Sequence, residues 1–237
     1  MNSDQIRDRF AENLADVHQR IADAAARSGR QPEEILLVAV SKYVGLEIIE
    51  PLIEAGAMVL GESRPQQFWP KAEALAGRSI RWHMIGQLQR NKIRRTLPLV
   101  ELTHSADSLR LVEAVDRIAA DLSLRAPILL EVNTSGDAAK HGFSPRELEQ
   151  SLNELAGIPN VEIRGLMCMA GLGTHGEDAR GDFSALRVLR DRLRRICPEE
   201  VRLDELSMGM SRDYEVAIEE GATIVRVGSA LYEGIPR

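Results

Sequence analysis

Lysine is scarce in this chain: four lysines stand against twenty-six arginines, and one of the four, Lys42, directly follows the apolar run ILLVAV (35–40) and Ser41. A primary amine at the mouth of a buried strand is partly desolvated, which lowers its pKa and makes neutral, nucleophilic nitrogen available to a carbonyl. Such a lysine can form a Schiff base. A lysine whose stem leaves the fold and whose ammonium is simply hydrated is the competing reading, and the residue alone does not choose between them.

Two later segments bear on that choice. SMGMS (207–211) and VGS (227–229) each combine glycine with serine. Glycine at 209 and 228 lets backbone approach an anion closely, while Ser207, Ser211 and Ser229 offer hydroxyls and the run through Met210 offers N–H groups. Either segment alone is an ordinary capped turn. Both together, with an amine elsewhere at the same mouth, fit a phosphate-bearing aldehyde. Arg226 lies within the apolar run ATIVRVG (222–228) and needs an acceptor if buried. The ring nitrogen of pyridoxal phosphate would serve, kept unprotonated by the guanidinium, and an ion pair with Glu131 or Glu205 is the alternative. His83 and Asn133 are weaker candidates, because a single strand histidine more often completes the hydrogen bonding of a core.

These residues need a scaffold that brings distant segments to one place. Residues 3–28 carry Ile6, Phe10, Leu14, Val17 and Ile21 at helical spacing and end at Ser28-Gly29, which predicts an amino-terminal amphipathic helix. Strands are predicted at 35–40, 57–60, 80–85, 99–103, 127–132, 161–167, 203–207 and 223–227, with helical stretches between them such as 108–122, 145–157 and 183–197. Eight alternating units imply a parallel sheet covered by helices. With no GxGxxG after the first strand, closure into a (β/α)8 TIM barrel is favoured over an open doubly wound sheet. The 237 residues match such a barrel, for which roughly 250 are typical, so one domain over 1–237 is expected. In that fold Lys42, His83, Asn133, SMGMS and VGS all fall at the carboxyl ends of strands, where barrel active sites lie.

Composition narrows the partners. A net charge of −6 gives no global attraction to nucleic acid or anionic lipid, and RNKIRR (90–95) reads as a solvated helix face. No run reaches the roughly 20 apolar residues of a membrane span, and the amino terminus lacks a signal-peptide core, so a cytoplasmic location is expected. Cys168 and Cys197 lack metal-site spacing and are expected to be buried free thiols.

The blocks LLVAVSK (36–42), WHMIGQLQRNK (82–92), HSADS (104–108), VNTSGDAAKHGF (132–143), RGLMCMA (164–170), SMGMSRDYEVAI (207–218) and VRVGSALY (225–232) cover essentially the whole chain in order. Together they resemble the pyridoxal phosphate homeostasis protein family, also called the YggS/PROSC family. The resemblance implies a monomeric barrel like the amino-terminal domain of alanine racemase, with the cofactor in imine linkage to Lys42. It also implies a phosphate site at SMGMS and VGS, with Arg226 facing the ring nitrogen. The family usually reads GEN after the second strand, where this chain reads GES with Ser63, and Tyr43 replaces a small polar residue.

The implied role is to carry or buffer pyridoxal phosphate, with apo forms of enzymes that use it as recipients and no turnover of its own. Racemisation needs acid/base groups on both faces of the substrate carbon, which barrel racemases complete from a second domain, and here only nine residues follow Gly228. The alternative is an amino-acid racemase in which Lys42 is one base and His83 or Tyr43 the other. An aldolase-like barrel using Lys42 on a sugar phosphate is the third.

Overall fold

A computed structural model describes residues 1–137, 141–171 and 173–236. Eight parallel strands, β1 (Leu36–Val40), β2 (Val59–Glu62), β3 (Arg81–Met84), β4 (Leu102–Ala106), β5 (Ala126–Glu131), β6 (Val161–Met167), β7 (Glu205–Ser207) and β8 (Ile224–Val227), follow one another around a closed barrel. Closure is made by β8 against β1, with Leu36 opposite Ile224 and Ala39 opposite Val227. Outside run α1 (Ser3–Arg27), α2 (Leu46–Glu54), α3 (Pro65–Ala74), α4 (Ile93–Thr96), α5 (Leu109–Asp121), α6 (Pro145–Ala156), α7 (Arg180–Leu193) and α8 (Tyr214–Glu219).

Helix α1 starts at an Asn2/Gln5 capping box, and its buried stripe is the one the spacing predicts, from Ile6 through Phe10, Leu14 and Val17 to Ile21. Each large apolar side chain buried in this way contributes about 1.5–3 kcal/mol. The stripe lies on α2 and α8, and Phe10 meets Tyr232 edge to face at 5.3 Å.

Two strands sit later than the sequence suggests. β2 begins at Val59, because Gly56, at φ 111°, turns the chain out of α2 and leaves 57–58 to the connection. β4 begins at Leu102, because Pro98 starts no strand: 97–99 form a 3-10 turn, and the strand instead extends through His104 and Ser105 to Ala106. The basic stretch 90–95 divides into a 3-10 turn and α4. Its Ile93 is buried, whereas Arg95 pairs with Glu73 at 2.7 Å and lies over Trp69. Cys168 is a buried thiol and Cys197 only half-buried, its Sγ 3.4 Å from the Val201 carbonyl.

Inside the barrel, Val38, Val59, Leu102, Leu129, Met167 and Ile224 form an apolar plug. Side chains alternate along a strand, so residues two steps on, such as His104 after Leu102 and Arg226 after Ile224, point inward one layer nearer the strands' carboxyl ends. That layer is polar.

Candidate functional site

Above it opens a cavity of about 450 Å³, lined by Lys42, Tyr43 and Ser63 after β1 and β2 and by Met210, Ser211, Gly228 and Ser229 after β7 and the adjoining β8, with Arg226 also in its wall. Lys42 stands two residues beyond β1. Ser41 is buried and Lys42 itself exposed, so the amine meets solvent at the mouth instead of being desolvated by the strand as the sequence suggests. Tyr43 reverses the chain at φ 70°, a region that costs a non-glycine residue strain. Tyr43 is 62% exposed, and its ring has the Lys42 ammonium 5.6 Å and the Arg64 guanidinium 5.5 Å from its centroid. Gly86 packs so closely on Ser63 that a Cβ there would come within 2.3 Å of the Ser63 carbonyl oxygen.

The β7–β8 wall is built from backbone. Ser211 Oγ accepts the N–H of Gly228 at 3.0 Å and of Ala230 at 3.4 Å, lacing the loops after β7 and β8 together. Gly209, at φ 92°, has no room for a side chain: a Cβ would fall 2.8 Å from the Tyr214 Cα. Asp213 Oδ1 accepts the Met210 N–H at 2.6 Å; burial raises the pKa of this carboxyl, while that hydrogen bond and Arg226 oppose the shift. Among the described residues the N–H groups of Ser211 and Ser229 donate to no acceptor, and both residues line the cavity. Unpaired N–H groups beside a glycine are what an anion of phosphate type requires.

Arg226 is 4% exposed. It donates from Nη1 to Ser207 Oγ and from Nη2 to the Cys168 carbonyl at 3.0 Å, and burial pulls its pKa below the usual guanidinium value. Of the two alternative carboxylate partners, Glu131 acts on the guanidinium by its charge, whereas the Glu205 carboxyl is raised in pKa by burial. From Ser207 the hydrogen bonds continue to His104 Nδ1 at 2.9 Å and from His104 Nε2 to His83 Nδ1 at 2.9 Å. An arginine only donates, so Ser207 Oγ accepts from Arg226, while the direction of the two bonds through His104 follows the ring tautomers. In either direction the Nε2 of His83 is buried and, among the described residues, unpartnered. Burial holds His83 down to about 4 and His104 well below the ordinary imidazole value. Both are neutral at pH 7.

The alanine racemase N-terminal domain family matches residues 8–236. The pyridoxal phosphate homeostasis protein of Aquifex aeolicus is 41% identical over 93% of this chain and 96% of its own length, and that of Pseudomonas aeruginosa 36% identical over 94% of each. The chain belongs to the pyridoxal phosphate homeostasis protein family. Among solved structures of similar proteins, PipY of Synechococcus elongatus with PLP bound is 35% identical with a TM-score of 0.82, covering 94% of this chain and 99% of that one. An alanine racemase of Clostridium difficile, 16% identical at a TM-score of 0.72, shares the barrel over 58% of its length.

In this member of the homeostasis-protein family, seven of the ten residues singled out from sequence line one cavity: Lys42, Ser63, Met210, Ser211, Arg226, Gly228 and Ser229. Three do not. His83 points into the barrel and ends the hydrogen-bonded chain below the cavity. Ser207 is buried between His104 and Arg226. Asn133 is spent on its own turn, donating to the Asp137 carbonyl at 2.7 Å and accepting from Ser135 and Gly136. All three are polar residues late in a strand or just after it, and only inward pleat or local turn bonding separates them from the lining set. His141, His175 and Arg212 line the cavity without having been singled out. They lie in loops, where no periodicity announces direction.

Proposed function

We propose that this protein binds pyridoxal 5'-phosphate, holds it by imine linkage on Lys42, and carries or buffers it without catalysing a reaction of its own. One observation carries the reading: an accessible primary amine and a set of unpaired N–H groups between two laced loops face the same cavity. Its volume of about 450 Å³ is within the range of small-molecule sites. The residues present fit the group. Ser211 and Ser229 would bind the phosphate, Gly228 would leave room for its close approach, Arg226 would face the ring nitrogen, and Ser63 and Tyr43 would flank the ring on the Lys42 side. When bound, the cofactor supplies an aldehyde that condenses with a primary amine.

The chain's own residues do the rest. Arg226, a permanent cation held by Ser207 and Cys168, disfavours protonation of a ring nitrogen beside it, and so weakens any stabilisation of a carbanion. The solvent access of Lys42 suits loading and release. The names of the homologous homeostasis proteins and the ligand of PipY support the same reading. Recipients would be apo forms of enzymes that use the cofactor, served by a monomeric cytoplasmic carrier. Among the described residues no helix is long and apolar enough to cross a membrane.

A racemase is the second reading, favoured by Tyr43 at the cavity mouth. Of its two candidate second bases, His83 is excluded from the lining and Tyr43 remains. The purified protein is expected to be yellow, and borohydride reduction followed by peptide mapping should place the adduct on Lys42. An adduct on another residue, or none, would overturn the assignment. Incubation with amino acids in deuterated water then separates the readings: α-proton exchange at an enzymatic rate would defeat the carrier.

A further inference from the structure

Beneath the Lys42 side of the mouth lies a buried ion pair, neither member of which lines the cavity. Lys71 of α3 places its Nζ 2.5 Å from Glu62 Oε2 and 2.9 Å from the Ser41 carbonyl oxygen, with Glu62 fully buried and Lys71 8% exposed. The other carboxylate oxygen, Glu62 Oε1, accepts the N–H of Ser63 at 2.8 Å. The β1–β2 ladder has its last paired residues at Val40 and Gly61, and Ser41 N–H still reaches the Gly61 carbonyl at 2.9 Å. Beyond that point Lys71 replaces the neighbouring strand as donor to Ser41, and Glu62 holds the first amide after β2. The two backbone groups so held immediately precede or belong to Lys42 and Ser63, the cavity residues of this wall.

Stability does not account for the pair. Two charges removed from water regain little more than their desolvation cost, and well-packed apolar residues of similar volume usually do as well or better. α3 presents such residues at Phe68, Trp69 and Ala72. What an apolar residue at 71 could not do is bond the Ser41 carbonyl just before the chain reverses at Tyr43.

We propose that the buried Lys71–Glu62 pair is a positioning device that sets the exit of β1 so that the Lys42 amine and the anion-binding loops after β7 and β8 engage the two ends of one ligand. The inference rests on the cavity being the pyridoxal phosphate site. Its signature is a ligand with two ends. Holding an amine at the right separation from an anchored phosphate raises its effective concentration towards the aldehyde of the same molecule, and leaves untouched a ligand that uses only one anchor.

The test compares wild-type protein with the double variant Glu62→Met/Lys71→Met, which removes both charges and keeps the volume. Three probes are titrated: pyridoxal 5'-phosphate, pyridoxal without its phosphate, and inorganic phosphate. Melting temperature is recorded alongside. The variant is expected to melt close to wild type, bind inorganic phosphate and react with pyridoxal at Lys42 as before, and lose about tenfold in affinity for pyridoxal 5'-phosphate, the size of one lost charge-assisted hydrogen bond. An unchanged ratio of pyridoxal 5'-phosphate to pyridoxal affinity in a folded variant overturns the proposal. So does an equal loss for all three probes, which would mark a structural role only. Should the double variant not fold, Lys71→Arg keeps the charge, moves the donor, and carries the same expected ratio and the same refutation. A wild-type protein that forms no adduct at Lys42 would instead refute the cofactor reading itself.

Discussion

The two walls of the cavity are built by opposite means. On the β1–β2 side the working groups are side chains, Lys42, Tyr43 and Ser63, displayed from backbone that a buried ion pair holds from behind. On the β7–β8 side the working groups are backbone amides, held by one serine hydroxyl that accepts from the neighbouring loop and by a glycine that no side chain can replace. A side-chain amine can react and swing with solvent access. Backbone N–H groups can only bind, but they bind an anion without the rotamer entropy that a lysine or arginine would lose. On the proposed reading, covalent capture and anion anchoring fall to different walls of the mouth, and each wall can be broken without the other.

Lys42→Ala should produce the largest effect. Complete loss of the borohydride-fixed adduct is expected with part of the phosphate-anchored binding retained, as read by absorbance and by equilibrium dialysis. Unchanged occupancy and spectrum would erase the distinction between the walls. Gly209→Ala attacks the other wall. A non-glycine residue at φ 92° costs about 1–3 kcal/mol, and the overlap with Tyr214 adds to it, so urea denaturation should show a loss of at least that order. Affinity for pyridoxal 5'-phosphate should fall by more than affinity for pyridoxal; equal losses would mean that the loop holds no phosphate.

Between the walls run the buried histidines, which connect β3 and β4 to Arg226 through Ser207. Their folded pKa values lie below the unfolded value near 6.5, so the unfolded chain binds more protons in that window. Stability is therefore full above about pH 6.5 and falls as pH drops towards about 4, by up to about 1.4 kcal/mol per pH unit for each histidine. Asp213 and Glu205, both raised by burial, act in the opposite sense nearer the carboxylate range, so the slope is best read between pH 6.5 and 5. His83→Gln should flatten it. A pH-independent stability over that interval would mean that the rings are hydrated and not locked in the relay.

The smallest effect is expected from Ser63→Asn, which installs the residue the family usually has. Ser63 lines the cavity but its backbone, not its hydroxyl, is held by Glu62, so the change should alter pyridoxal 5'-phosphate affinity by no more than about twofold, the range of an ordinary surface substitution. A tenfold gain would show that the Lys42 wall lacks a ring contact in this chain.

Much of this was readable in the residues themselves. An apolar run of strand length ending in Ser41-Lys42, eight alternating units and two glycine-serine turns suffice for a barrel with that lysine and both turns at one end, because hydrophobic period and turn chemistry are local properties of sequence. β6 at Val161–Met167 and α1 fall where their periodicity puts them. What the residues alone could not decide was direction and partnership. Whether His83 faces the cavity or the core depends on pleat and strand tilt, and only the pairing of β3 with β4 brings it within 2.9 Å of His104. Lys71 carries no sequence signal of its own, and only the docking of α3 buries it as the donor that secures Ser41. Local pattern specifies the elements because each residue's neighbours in sequence set it. The roles of buried charges such as Lys71 and Arg226 come from groups in other elements, which only the folded chain brings within hydrogen-bonding distance.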